Sequence, residues 1–260
     1  MKKVEIYYFS GTGNTLAAVM AMKKHFEERG VETELKRLVG AEFKIPPAGT
    51  AVGFAFPINT QSVSPMVWKA MKSLPKVRDI PAFVLATMNE SSGMINPLYR
   101  LLSSRGFKIA GLCEVSMPNN MLLEPSNGDN DRERTEKGLQ QIRRFSDELL
   151  SGTASWKPEK KGSAFVSGLS LNTPLPWFFM RRLSKFETDS GACTRCGQCI
   201  SECEADNIYM KDKPVHRNNC QLCMRCAAFC PQRAISVRVG GKQVEVRKAG
   251  EDADMGGGRI

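Results

Sequence analysis

The chain is predicted to fold as two units: a parallel α/β sheet over residues 1–150, then a small cysteine-rich unit. Three observations predict this. Strand-like apolar runs alternate with helical patterns through the first 150 residues, as a βα repeat requires. The texture then breaks at 151–162, "SGTASWKPEKKG", into a polar, Pro-containing linker. Finally, eight of the nine cysteines crowd into residues 193–230 with a spacing expected of metal ligands.

The elements follow in order. Strand 3–9 carries the β-favouring run "IYYF" and ends at a Gly-containing hydroxyl loop, "SGTGNT", and helix 14–29 stops at Gly30. Strands 31–38 and 51–56, helix 64–74 and strand 81–87 continue the alternation. Helix 94–105 stops at Gly106, strand 108–116 follows, and helix 131–150 has Asp129 or Asn130 as its cap and Gly152 after it. Residues 163–186 are apolar and aromatic but interrupted by Pro174 and Pro176, too broken for a membrane span. They read as a connector whose Trp177, Phe178 and Phe179 pack between the units; the alternative is a peripheral membrane contact. Near the end, "AISVRVGGKQVEVRK" alternates around a Gly-Gly turn and predicts a hairpin, and "EDADMGGGRI" closes a tail, 248–260, expected to be disordered.

Composition narrows the function classes. The net charge of +10 is distributed along the chain, with +4 over residues 1–150 and no dense basic stripe, so nucleic acid is not an expected partner. The N-terminal apolar run is too short for a signal peptide, and a cytoplasmic location is expected. No Ser/His/Asp set, carboxylate pair or nicotinamide fingerprint stands out. His25 and His216 read as surface residues, and Cys113 as a core thiol.

The cysteines carry the chemistry. Cys193, Cys196, Cys199 and Cys203 form one C-x2-C-x2-C-x3-C run; Cys220, Cys223, Cys226 and Cys230 form a second. Three thiolates of such a run grip one iron-sulfur cubane while the fourth serves the other cluster. Cys193, Cys196, Cys199 and Cys230 would then hold one cluster, and Cys220, Cys223, Cys226 and Cys203 the other. Zinc is the alternative, although four evenly spaced cysteines twice over exceed what tetrahedral zinc needs. Residues 188–238 resemble a bacterial-type ferredoxin with two 4Fe-4S clusters, including "CP" at 230–231 and "AI" at 234–235. Glu204 departs from the family, which usually has Pro there, and is expected to place negative charge beside the cluster served by Cys203.

The loop "SGTGNT" offers Ser10, Gly11, Thr12, Gly13, Asn14 and Thr15 as an anion pocket at a helix N-terminus. It has no Lys and is neither a Walker loop nor G-x-G-x-x-G. It fits the Ser/Thr-x-Thr-Gly-x-Thr phosphate loop of flavodoxins, which holds the phosphate of FMN; a plain capping turn is the alternative. With the βα order, residues 1–150 resemble a flavodoxin-like, doubly wound five-stranded parallel sheet. That resemblance implies that the flavin ring lies between Pro57, Ile58, Asn59 and Thr60 after the third strand and Thr87, Met88 and Asn89 after the fourth. Neither loop has the aromatic that many flavodoxins stack on the ring, so the connector or the ferredoxin unit is expected to supply cover. The loop 117–127 is expected to close over the ring edge.

Together the units resemble flavodoxin/ferredoxin fusion proteins of anaerobic bacteria and archaea, divided as 1–150, a connector at 151–187, a small α+β ferredoxin unit at 188–247, and the tail. The resemblance implies FMN, two 4Fe-4S clusters, and electron transfer between an external low-potential donor and a partner protein or small acceptor. A flavin-dependent reductase acting directly on a small organic substrate is the second reading.

Overall fold

A computed structural model of the chain describes residues 1–58, 62–88, 95–122, 128–156 and 175–249. The first unit runs β1 (Lys3–Tyr8), α1 (Asn14–Glu27), β2 (Glu32–Arg37), β3 (Thr50–Pro57), α2 (Pro65–Lys72), β4 (Ile80–Met88), α3 (Ile95–Ser104), β5 (Phe107–Ser116), β6 (Met121–Leu122) and α4 (Gly128–Ser151). All pairings in its five-stranded sheet are parallel, in the order β2-β1-β3-β4-β5. That is the flavodoxin-like order, with its switch point between β1 and β3. The periodic elements fall within a few residues of expectation. Helix α4 begins at Gly128, so Asp129 lies in its first turn, where its charge favours the helix dipole.

The sheet is buried on both faces, which explains strands that read as continuous apolar runs. Phe9, Phe54, Phe56 and Val84 pack with Val67, Met71, Leu98 and Leu102 of α2 and α3. Residues one step out of phase, Ile6, Ala55, Phe83 and Leu85, pack with Val19, Met22 and Phe26 of α1 and Ile142 and Phe145 of α4. Each large side chain buried this way contributes roughly 1.5 to 3 kcal/mol. Cys113 belongs to this second face, 4% exposed, as expected. His25 does not lie on the surface: it is 7% exposed, with Nε2 2.9 Å from Asp147 Oδ1 on α4. The charged residues around it in sequence concealed the inward side of α1.

The second unit comprises α5 (Leu175–Leu183), β7 (Ser184–Thr188), α6 (Gln198–Ser201), β8 (Ile208–Met210), β9 (Pro214–His216), α7 (Arg225–Ala228), β10 (Ile235–Val239) and β11 (Lys242–Val246). Its α+β character is as expected, but it begins earlier: α5 occupies part of the expected connector, and β7 pairs antiparallel with β10 from Ser184 onward. The hairpin β10–β11 turns at Gly240 and Gly241, with φ of 58° and 84°. Strand β6, from the first unit, pairs antiparallel with β11 and completes a sheet of order β6-β11-β10-β7. A third core, including Ile208, Met224, Ile235 and Val237, fills the space around the cysteines. Among the described residues, no helix is long and apolar enough to cross a membrane.

Candidate functional site: one cavity and two thiol centres

The loop between β1 and α1 opens into a cavity of about 260 Å³ at the carboxyl ends of the strands. Ser10, Gly11, Thr12, Asn14 and Thr15 line one side, and Pro57, Ile58, Thr87 and Met88 line the side beneath β3 and β4. Asn59, Thr60 and Asn89 lie outside the described residues. None of the described lining residues is charged, so an anion would be met by hydroxyls, backbone N–H groups and the N-terminus of α1.

The hydroxyls are held in place by neighbours. The Ser10 Oγ accepts from the Leu16 N–H at 3.2 Å, closing the loop onto α1. The Thr15 and Thr87 hydroxyls meet at 2.8 Å in a buried pair, which leaves one of their two hydrogens free. Asn120 Nδ2 donates to Thr12 Oγ1 at 3.0 Å and to Asn14 Oδ1 at 3.2 Å, while Asn14 Nδ2 donates to the Pro118 carbonyl at 2.7 Å. Pro118, Asn119 and Asn120 also line the cavity, so the described start of the third loop does border it.

The opposite wall comes from the second unit: Trp177, Met180 and Ser184, then Leu222, Cys223, Met224 and Val239. Trp177 is buried there, but Phe178 and Phe179 are 54% and 59% exposed. Helical geometry is the reason: positions 177 and 180 share a side of α5, and 178 and 179 rotate away from it. The buried Ser184 Oγ in this wall has no hydrogen-bond partner among the described residues. A hydroxyl buried without a partner costs about 1 to 3 kcal/mol, which a polar ligand atom would offset.

The eight clustered cysteines divide between two smaller cavities. Cys193, Cys196, Cys199 and Cys230 line one; Cys203, Cys220, Cys223 and Cys226 line the other. Their electrostatics follow mostly the same division, with Cys199 also acting on Cys226 across the two centres. Burial raises the Cys199 pKa, helped by Cys230, Cys196 and Cys193; burial pushes Cys223 up to about 12, with Cys220 and Cys203 adding to it. Such thiols stay protonated in isolation and ionise when metal supplies the compensating charge. Backbone N–H groups of Asn207, Leu222 and Ala234 lie 3.3, 3.4 and 3.3 Å from the sulfurs of Cys203, Cys220 and Cys230. Among the described residues, no three His, Cys, Asp or Glu side chains close on one point as a single ion requires. Four cysteines at each centre are the ligand complement of a four-iron cube, and the donor set is compatible with one.

Two expectations change beside the second centre. Glu204 Oε1 accepts from Arg37 Nη1 of β2 at 2.8 Å, so the negative charge expected there is opposed by a cation of the first unit. Burial raises its pKa, against the pull of Arg37 and Arg225. His216 is not a surface residue: its ring stacks on Phe186 with centroids 4.8 Å apart, and Nε2 lies 3.6 Å from Cys226 Sγ. Burial lowers its pKa, which keeps the imidazole neutral near pH 7.

The second thiol centre and the cavity share a wall. Cys223 and Met224 line both the second thiol cavity and the larger one, and a Cβ added to Gly11 would lie 2.3 Å from the Cys223 carbonyl oxygen. On the other flank of the loop, Ala249 N–H donates to the Thr12 carbonyl at 2.8 Å. Lys248 stands over Phe229, so the first residues of the expected tail are placed; those from Gly250 lie outside the described residues. Sequence reasoning missed Asn120 and the 222–224 wall. The spacing of Trp177 and Met180 was the available signal for α5; nothing local marks Cys223 as a shared wall.

No family model matches the chain. Over 61 residues, 21% of its length, it is 38% identical to the archaeal-type glutamate synthase [NADPH] of Dehalococcoides mccartyi, and it spans 12% of that protein. Among solved structures it is similar to a short-chain flavodoxin associated with a PDU bacterial microcompartment, at 10% identity and TM-score 0.43, covering 59% of this chain and 100% of that one. It is also similar to rubredoxin oxygen:oxidoreductase from the anaerobe Desulfovibrio gigas, at 21% identity and TM-score 0.40, covering 58% and 37%.

Proposed function

We propose that this chain transfers electrons between an external low-potential donor, two 4Fe-4S clusters and FMN, and delivers them to a partner protein or small acceptor. The observation that carries the reading is Cys223, which lines both the second thiol cavity and the cavity at the hydroxyl loop. When bound, the clusters exchange one electron each and FMN one or two, so the pair can join one-electron to two-electron chemistry.

Cys193, Cys196, Cys199 and Cys230 would hold one cluster, and Cys203, Cys220, Cys223 and Cys226 the other. Cys196 is exposed, as are Thr194, Arg195, Pro231 and Gln232 around the first thiol cavity, which suits that end to meeting a donor protein. Ser10, Thr12 and Thr15 would donate to the FMN phosphate, Thr15 by accepting the Thr87 hydrogen and turning its own outward, with the N-terminus of α1 beneath it. Pro57, Ile58, Thr87 and Met88 would line the ring, Trp177 and Met180 would cover it, and the unpartnered Ser184 hydroxyl would meet one of its polar atoms. That wall supports the carrier reading over direct reduction of a small substrate, which needs free space over the ring.

The test is anaerobic purification with iron, acid-labile sulfide and flavin measured together. The expected result is about eight iron and eight sulfide per chain, with about one FMN. Zinc without labile sulfide, or a chain that takes up no FMN, would refute the reading. Rapid oxidation of the fully reduced protein by a small organic substrate, with no partner protein present, would favour the reductase.

A further inference from the structure

A buried guanidinium joins the hydroxyl loop to the second thiol centre. Arg225 lies between Cys223 and Cys226 in sequence and is 4% exposed. Its Nη1 donates to the carbonyl oxygens of Ser10 at 3.1 Å and Gly11 at 3.4 Å. Its Nε and Nη2 lie 2.6 and 2.5 Å from Glu202 Oε2, and its carbon centre stands 4.5 Å from the Phe229 ring centroid. An arginine fork so engaged has one orientation.

The fork acts on the loop's backbone, since Arg225 does not line the cavity. A peptide unit is planar and trans, so its C=O and N–H point in opposite directions. Drawing the Ser10 and Gly11 carbonyls toward Arg225 therefore turns the N–H groups of Gly11 and Thr12 away from it. These are donors of the anion loop itself. The contact between Gly11 and the Cys223 carbonyl fixes how close the two backbones stand.

We infer that Arg225 is a positioning residue that ties FMN affinity to the integrity of the second cluster and leaves it independent of the first. The inference rests on the cofactor reading above. Filling the second thiol centre orders the 220–226 loop, holds the fork in place and presets the anion loop. By reciprocity, bound FMN stabilises the second cluster to the same extent.

The experiment titrates FMN anaerobically into flavin-stripped full-length protein, following the quenching of flavin fluorescence. The backgrounds are the unmodified chain, Cys220→Ser with Cys226→Ser, Cys193→Ser with Cys196→Ser, Arg225→Gln, Arg225→Lys, and Arg225→Gln combined with the second-centre changes. Loss of the second cluster and Arg225→Gln should each raise the FMN Kd by about tenfold, the scale of one charge-assisted hydrogen bond. Loss of the first cluster should leave it within about twofold. The combined variant should be no weaker than either parent, and Arg225→Lys should recover only part of the loss. Equal weakening by loss of either cluster, multiplying effects in the combined variant, or an unchanged Kd without the second cluster would overturn the coupling. Iron and sulfide are measured on each variant: a second-centre variant that keeps both clusters overturns the ligand assignment instead.

Discussion

At the scale of single residues, Gly11 and Cys113 make opposite demands. Gly11 is required by close approach: a methyl group there would meet the Cys223 carbonyl oxygen at 2.3 Å, and backbone on both sides limits relief. Gly11→Ala should destabilise the protein by about 1 to 3 kcal/mol, the usual cost of overpacking. It should also slow cluster-to-flavin transfer in stopped-flow measurements while iron content holds. A Gly11→Ala protein with unchanged stability and unchanged transfer would refute this contact. Cys113 is enclosed on the second face of the sheet, with Gln141 as a side-chain hydrogen-bond neighbour. Burial, with smaller contributions from Glu148 and Glu114, pushes its pKa up to about 12, so the thiolate is scarce at pH 8. Iodoacetamide at pH 8 should leave Cys113 unlabelled in the folded protein and label it after denaturation, as read by peptide mass spectrometry.

At the scale of elements, α5 separates its residues by direction. Trp177 faces the cavity, and Phe178, Phe179 and Leu183 are exposed. Trp177→Ser should therefore weaken FMN binding and lower stability by about 3 to 5 kcal/mol, the range for truncating a buried Trp. Phe178→Ser with Phe179→Ser should leave FMN content intact and shift stability by no more than about 0.5 kcal/mol. Flavin content and thermal unfolding of the two variants decide between this and a shared role for all three aromatics. The same helix shows where sequence reasoning stops. Strands β1 and β3 to β5 were legible as apolar runs, and helices α1 to α4 because each buries a periodic apolar face against the sheet. Pro176 concealed α5, although it stands in the first turn, where its missing N–H is no loss. Strand β6 has only two residues, too few for a pattern, and exists because β11 offers it an edge. The cysteine spacing was legible because ligand geometry is local. The shared wall at Cys223 was not, since it depends on how two units meet.

At the scale of the whole molecule, the two thiol centres have different surroundings. Cys196 of the first is exposed, whereas the second abuts the first unit through Cys223, Arg225 and the Arg37–Glu204 pair. Cys203 belongs to the first run in sequence but lines the second cavity. Cys203→Ser should accordingly damage the cluster of Cys220, Cys223 and Cys226 and spare the other, with iron falling toward about four per chain. Electron paramagnetic resonance of the reduced variant identifies which signal is lost, and loss of the first-run signal would refute the exchange of fourth ligands.

The bond from Ala249 to Thr12 has a consequence for the timing of synthesis. Residue 249 leaves the ribosome long after residue 12. At about 5 to 20 residues per second, the interval between them is on the order of 10 to 50 s. The first unit can assemble its sheet during that time, because its own strands and helices are complete by Ser151. Its hydroxyl loop still awaits the Cys223 carbonyl, the Arg225 fork and finally Ala249. A nascent chain halted before residue 220 should therefore hold FMN more weakly than one that extends through Ala249, so that firm flavin binding waits for the second unit.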